Sequence, residues 1–276
     1  MSITTTRAVR LDGNSNSSPF ETLYNNPLPH HYFGFLAPVS YRAPDETMAV
    51  LRPWLAEKWR SNGSEPVRVL DFFSGYGANG ILLRTGFGMA EISELYSRGA
   101  LSTEDLDAHT AFFKDAAVGP DKLHLSALDI APNALAYSKE SGVYQNAFGE
   151  NLLENAPSEA LSEAAYNADI IIESGGHHEV SPAIIDGLLG ATNPDKRPPL
   201  VMSVARDFDL VPIRAALAKH GYEARLVKPD FLLRTFVDDV EKATKHERTR
   251  ALGLPEGGVL GDNVRYANLF WAEFAG

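Results

Sequence analysis

Residues 67–80 read Val67-Arg68-Val69-Leu70-Asp71-Phe72-Phe73-Ser74-Gly75-Tyr76-Gly77-Ala78-Asn79-Gly80 and run on into Ile81-Leu82-Leu83. An apolar strand ends on an acid, breaks into a glycine turn and restarts as a helix. Glycine at 75, 77 and 80 permits positive φ and lets a ligand approach the backbone, because no Cβ stands in the way. The segment predicts a strand, a ligand-binding turn and a helix, with a nucleotide-like cofactor at the turn.

Working outward, the spacing of these glycines also fits the G-x-G-x-x-G fingerprint of dinucleotide folds. Such folds keep a ribose-binding acid about 20 residues further on. Here the next acid that closes an apolar strand is Asp129, after Leu123-His124-Leu125-Ser126-Ala127-Leu128, 49 residues beyond Gly80. Asp71 would also set a carboxylate beside a pyrophosphate, where like charges repel, and a cationic ligand suits it better. The phosphate-loop pattern G-x-x-x-x-G-K-[ST] is absent. A strand, turn and helix without any ligand is the plainer alternative, since glycine turns are common.

Asp71 followed by Gly75-x-Gly77, with Leu128-Asp129-Ile130-Ala131-Pro132-Asn133-Ala134-Leu135-Ala136-Tyr137 downstream, resembles the first two motifs of the class I S-adenosylmethionine (SAM) dependent methyltransferases. Tyr41-Arg42-Ala43-Pro44, Asn79, Glu173-Ser174-Gly175-Gly176 and Arg206 extend the likeness to a small-molecule biosynthetic branch similar to azetidine-2-carboxylate synthases. The resemblance implies SAM held by Asp71, Ser74, Gly75, Gly77, Asn79, Asp129, Ile130, Ser174 and Gly175. Tyr41, and His177 and His178 beyond the fourth strand where the chain departs from the family pattern, are catalytic candidates; Tyr32, Arg42, Ser203 and Arg206 are candidates for substrate contact, with a surface position for Arg42 and hydrogen bonds to the loop for Ser203 and Arg206 as the plainer alternatives. The Asn-Pro-Pro-Tyr or Asp-Pro-Pro-Tyr motif of enzymes that methylate amino groups of nucleic acids is missing. His177-His178-Glu179 suggests a base, a substrate contact or a metal ligand, but neighbours on a strand point apart and rarely chelate one ion. No metal is expected.

Composition narrows the partners. The 276 residues carry 36 acids against 25 Lys and Arg, a formal charge of −11, and show no basic cluster. A nucleic-acid backbone would be repelled, and a small molecule is the expected substrate. The chain has no cysteine, which excludes disulfides, thiolate metal sites and thiol nucleophiles. No apolar run approaches the ~20 residues of a membrane span, and Met1-Ser2-Ile3-Thr4-Thr5-Thr6-Arg7 lacks the apolar core of a signal peptide. The expected location is cytoplasmic.

Strand and helix signals alternate beyond residue 44, which predicts an α/β fold: a Rossmann-like, seven-stranded, mostly parallel sheet with helices on both faces. The expected strands are 67–71, 123–128, 143–147, 169–173, 199–205, 222–228 and 266–274. Helices are expected at 78–85, 103–116, 132–140, 157–164, 181–190 and 211–219. Another begins at Pro44, with Met48, Leu51, Leu55 and Trp59 on its core face. Residues 1–18 form a polar tail. Residues 19–43, rich in Phe, Tyr and Pro, form an aromatic cover, read either as a lid or as a segment docked on the core, so that 1–43 precedes a cofactor domain over 44–276. Insertions fall near 86–121 and 229–262. The first is expected to add one or two helices, with Glu104, Asp105 and Asp107 in solvent, and the mixed charges of the second to form an exposed helix with internal ion pairs.

The expected reaction is methyl transfer from SAM to a small natural-product or amino-acid acceptor. Two alternatives keep the cofactor: cyclisation of SAM to azetidine-2-carboxylate with release of methylthioadenosine, and a non-catalytic SAM sensor.

Overall fold

A computed structural model describes residues 23–24, 26–175 and 180–276. Seven strands form one sheet: β1 (Val67–Phe72), β2 (Leu123–Asp129), β3 (Asn146–Gly149), β4 (Ile170–Ser174), β5 (Leu200–Ala205), β6 (Tyr222–Thr235) and β7 (Val264–Phe274). Their order is β3-β2-β1-β4-β5-β7-β6. The first five run parallel, and β7 lies antiparallel between β5 and β6. The predicted seven-stranded, mostly parallel sheet is observed. Its central strands β4 and β5 are mostly apolar on both faces, as burial beneath two helical layers requires.

One face is covered by α1 (His30–Leu36), α2 (Ala43–Ser61), α3 (Ala78–Thr85), α4 (Met89–Arg98), α5 (Leu106–Ala116) and α6 (Pro132–Glu140). Met48, Leu51 and Leu55 of α2 join Val67, Val69, Leu125 and Ile172 of the sheet in this core. The other face carries α7 (Glu159–Asn167), α8 (Pro182–Gly190) and α9 (Val211–Lys219), where Leu161, Ile184, Ile185 and Leu217 meet Leu70, Phe72, Leu128 and Ile171. The reversal of strand order between β1 and β4 opens a crevice at their carboxyl ends, the usual ligand position in such sheets.

Three expectations change. The strand expected at 143–147 begins instead at Asn146, because Val143 and Tyr144 turn inward and are buried against the glycine turn. β6 continues to Thr235, since β7 starts at Val264 and supplies backbone partners as far as residue 235, across register shifts. The helix of the second insertion, α10 (Asp239–Ala251), is not an exposed helix with internal pairs. Glu241 is buried and paired with Arg234 of β6, and Lys245 is buried with its ammonium 3.6 Å from Asp207. Arg265 of β7 closes the group with a 2.9 Å bidentate contact to Asp207. Charges on other elements capture this helix, a pairing invisible to local charge patterning.

The first insertion forms α4 and α5, and Glu104, Asp105 and Asp107 are exposed as expected. The described part of the N-terminal segment contains a short helix whose Tyr32, Phe33 and Leu36 are buried in the same core as α2 to α6. Residues 1–18 and Phe20 lie outside the described residues. Among the described residues no helix is long and apolar enough to cross a membrane.

Candidate active site

The glycine turn after β1 is braced from two directions. Asp129 ends β2, one strand over, and its Oδ2 accepts the Gly75 amide at 2.8 Å while Oδ1 accepts the Ala131 amide at 2.9 Å. The two motifs recognised in the sequence are thereby joined by one carboxylate. With the Ile130 amide also directed at it, the carboxylate keeps acceptor capacity for one further hydroxyl donor. Burial raises the Asp129 carboxyl above its ordinary range, opposed by the amides of Ala131, Gly75 and Ile130. Ile130 is exposed beside it. Ser74 is buried, with its amide 3.2 Å from the Leu128 carbonyl.

Asp71, near the end of β1, is fully buried. Its Oδ1 accepts from Asn79 Nδ2 at 2.9 Å and its Oδ2 from the Tyr144 hydroxyl at 2.5 Å. Tyr144 in turn accepts the Gly80 amide at 3.0 Å. Asp71, Asn79 and Tyr144 thus form an internal network beneath the turn. Desolvation pushes the Asp71 carboxyl up to about 7, against the two hydrogen bonds that lower it.

The glycines divide accordingly. A Cβ on Gly77 would lie 2.9 Å from the Tyr144 ring, and one on Gly80 2.5 Å from it. Both glycines leave room for the Tyr144 ring, and Gly77 also holds a φ of +84°. Gly75, at φ +50°, faces the crevice, and there a Cβ would come within 2.6 Å of Tyr24. Phe73, two residues earlier, also holds a left-handed φ of 57°, a strained conformation for an aromatic residue.

Three tyrosines of the N-terminal segment roof the crevice. Tyr24 lies over Gly75, stacks on Tyr76 with centroids 5.7 Å apart and meets Tyr32 at 5.1 Å. The Tyr76 hydroxyl donates to the Asn26 carbonyl at 2.7 Å and accepts the Asn26 amide at 3.1 Å, tying the segment to the turn. Tyr41 donates to the Ser174 carbonyl at 3.0 Å. Burial drives all three phenols upward, Tyr32 to about 12. They are neutral donors at physiological pH, and Tyr41 is placed to donate a hydrogen bond rather than to act as a base.

At the end of β4, Glu173 is fully buried. Ser174 Oγ donates to Thr47 Oγ1 at 2.7 Å, and the Gly175 amide donates to Ser203 Oγ at 3.0 Å. Gly175 has φ +104°, and a Cβ there would overlap the Tyr41 hydroxyl. Ser203 is buried and accepts this backbone amide. Arg206 pairs with Asp230 at 2.9 Å, donates to the carbonyls of Pro255 and Gly257, and lies over Tyr266. Arg42 is exposed at the rim and pairs with Asp45 at 3.0 Å. His177 and His178 lie outside the described residues. Among the described residues no cluster of three or more His, Asp or Glu is arranged to hold a metal ion. Tyr144 and Thr47 were missed in the sequence because an inward tyrosine after a helix and a threonine within one look like core.

No family model matches this chain, and no curated protein matches it in sequence. Solved structures with a similar chain path include magnesium protoporphyrin IX methyltransferase from Synechocystis PCC 6803 with bound SAM, 12% identical at a TM-score of 0.42 over 84% of this chain and 79% of that one. A TehB-like SAM-dependent methyltransferase from Corynebacterium glutamicum is 12% identical at 0.38, over 82% and 98%. A phosphoethanolamine N-methyltransferase from Haemonchus contortus, in complex with S-adenosylhomocysteine, is 11% identical at 0.40, over 83% and 52%.

Proposed function

We propose that this chain is an enzyme that binds SAM at the glycine turn and transfers its methyl group to a small acceptor held beneath the tyrosine roof. The observation that carries the reading is Asp129, which ends β2 beside the switch-point crevice and holds the Gly75 backbone while keeping acceptor capacity for a ribose hydroxyl. The residues suit the cofactor: a carboxylate for a ribose hydroxyl, a glycine whose face carries no side chain, and exposed Ile130 to lie against a purine. SAM supplies a methyl group already activated on a cationic sulfur.

The chain's own part is placement and exclusion of water. Asp129 and the backbone at 74–77 orient the ligand. Asp71, Asn79 and Tyr144 keep the turn in shape without touching it. Tyr24, Tyr32 and Tyr41 form a cover that must yield at Gly75 to admit the ligand, and its return would shut water out of the crevice. Glu173, buried near the end of β4 and close enough to push the Tyr41 phenol upward, is the chain's candidate for holding an acceptor's proton. Correct alignment contributes most of the rate in such a displacement.

The test is incubation with SAM and a panel of small amines, phenols and carboxylic acids. S-adenosylhomocysteine formed only when an acceptor is added supports the reading. Calorimetry that detects neither SAM nor S-adenosylhomocysteine, or that detects NAD instead, overturns it.

A further inference from the structure

On the face of the sheet opposite the tyrosine roof, four inward positions that would ordinarily be apolar are polar. Arg68 pairs in register with His124, and Ser126 with Asn146, so all four project to one side of three adjacent strands. The next positions on the same side, Leu70, Phe72 and Leu128, are core. α7 crosses this region with the small residues Ala160 and Ala164, followed by Ala168 just past its end, and these leave a pocket of about 320 Å³ between helix and sheet, within the size range of small-molecule sites.

The hydrogen bonds inside the pocket leave donors over. Asn146 Nδ2 donates to His124 Nε2 at 3.0 Å and to Ser126 Oγ at 3.3 Å. His124 is therefore protonated on Nδ1, and that N–H and the Ser126 hydroxyl hydrogen remain to be given. Burial and the neighbouring Arg68 and Arg84 hold the His124 imidazole below its usual range, so it is neutral at pH 7. The half-buried Arg68 guanidinium forms no ion pair or hydrogen bond among the described residues, although acids outnumber bases 36 to 25 in this chain. A cation left without a carboxylate in an acidic protein, beside two spare donors, matches an anion. Phe148 and the alanines of α7 supply an apolar wall, and Glu163 at the exposed rim disfavours a second negative charge.

We propose that this pocket is a second ligand site that takes a small organic monocarboxylate, its carboxylate on Arg68, Ser126 and His124 and its apolar body against Phe148 and α7. The site lies across the sheet from the crevice and does not depend on what binds there.

Benzoate and inorganic phosphate are the probes, titrated calorimetrically into the whole protein. Benzoate should bind with a Kd of about 1 mM or tighter, and phosphate at least about tenfold more weakly. Arg68→Met, which keeps the aliphatic stem, should weaken benzoate at least about tenfold. Ala164→Leu should do the same by filling the pocket while leaving every donor in place, so the test survives if the arginine variant folds poorly. Benzoate should also shift the backbone NMR signals of residues 68, 124–126 and 146–148. No benzoate binding, equal binding by both variants, tighter binding of phosphate, or shifts confined to 71–77 and 129 would each overturn the proposal.

Discussion

The hydroxyl of Tyr144 donates to the carboxylate of Asp71 at 2.5 Å in a place from which water is excluded. The acid that ends β1 is thus answered from within the fold, by a residue 73 positions later in the chain. Burial pushes its carboxyl up to about 7.

That shift has a defined sign. The native Asp71 carboxyl is raised above its unfolded value of 3.8, so the folded state binds more protons through the interval from about 4 to about 7. Its contribution to stability is complete at acid pH and is lost as pH rises through 7, with an upper bound on the order of 4 kcal/mol. Asp71→Asn should flatten this component of a urea-unfolding series from pH 5 to pH 8. An unchanged slope would place the titration elsewhere.

The carboxylates around α10 behave in the opposite way. Burial raises Asp207 and Glu241, but Arg265 and Arg234 outweigh it and both lie below their ordinary values. Their contribution is present above pH 4.5 and is lost as pH falls. Glu241→Ala should cost about 3–5 kcal/mol, because it leaves Arg234 buried and unpaired, whereas Arg234→Met combined with Glu241→Leu should cost far less. Chemical denaturation of the two variants decides between a pair needed for stability and one that only needs to be complete.

Gly80→Ala should destabilise by about 1–3 kcal/mol, the scale of overpacking, since its Cβ would fall 2.5 Å from Tyr144. Adding Tyr144→Leu should recover part of that loss. Gly75→Ala collides with Tyr24 instead, and it should change S-adenosylhomocysteine binding more than it changes folding. Thermal melts beside calorimetry separate the two classes of glycine.

Asp129→Ala should weaken S-adenosylhomocysteine by about 1–3 kcal/mol, the range for hydrogen bonds to a charged group. Because the same carboxylate holds the Gly75 and Ala131 amides, a smaller fall in the melting temperature of the empty protein should accompany it. A fall in stability with no change in affinity would make Asp129 a brace alone.

Amide exchange at residues 26–41 should slow when S-adenosylhomocysteine is added, if the tyrosine roof opens to admit the ligand and closes over it. Identical protection with and without ligand would mean that the segment is simply docked.

The sheet was legible because burial beneath two helical layers writes nearly continuous apolar runs into β4 and β5 and an apolar alternation into β1 and β2, and because Asp71, Gly75-x-Gly77 and Asp129 are local signals set by backbone conformation and charge. By itself the sequence therefore determined the fold class and the position of the crevice. It could not assign roles within the crevice. Whether Asp71 faces a ligand or a tyrosine depends on Tyr144, and whether Gly77 admits a cofactor or a ring depends on the same residue. Arg206 and Ser203 end the expected strand, but only the paths of 255–257 and of the β4 loop decide that they meet carbonyls and an amide. The helix at 239–251 carries the same charges whether it is solvated or captured by Arg234, Asp207 and Arg265. A hydrogen bond or ion pair between distant segments depends on where both ends arrive, and a linear pattern records only one of them.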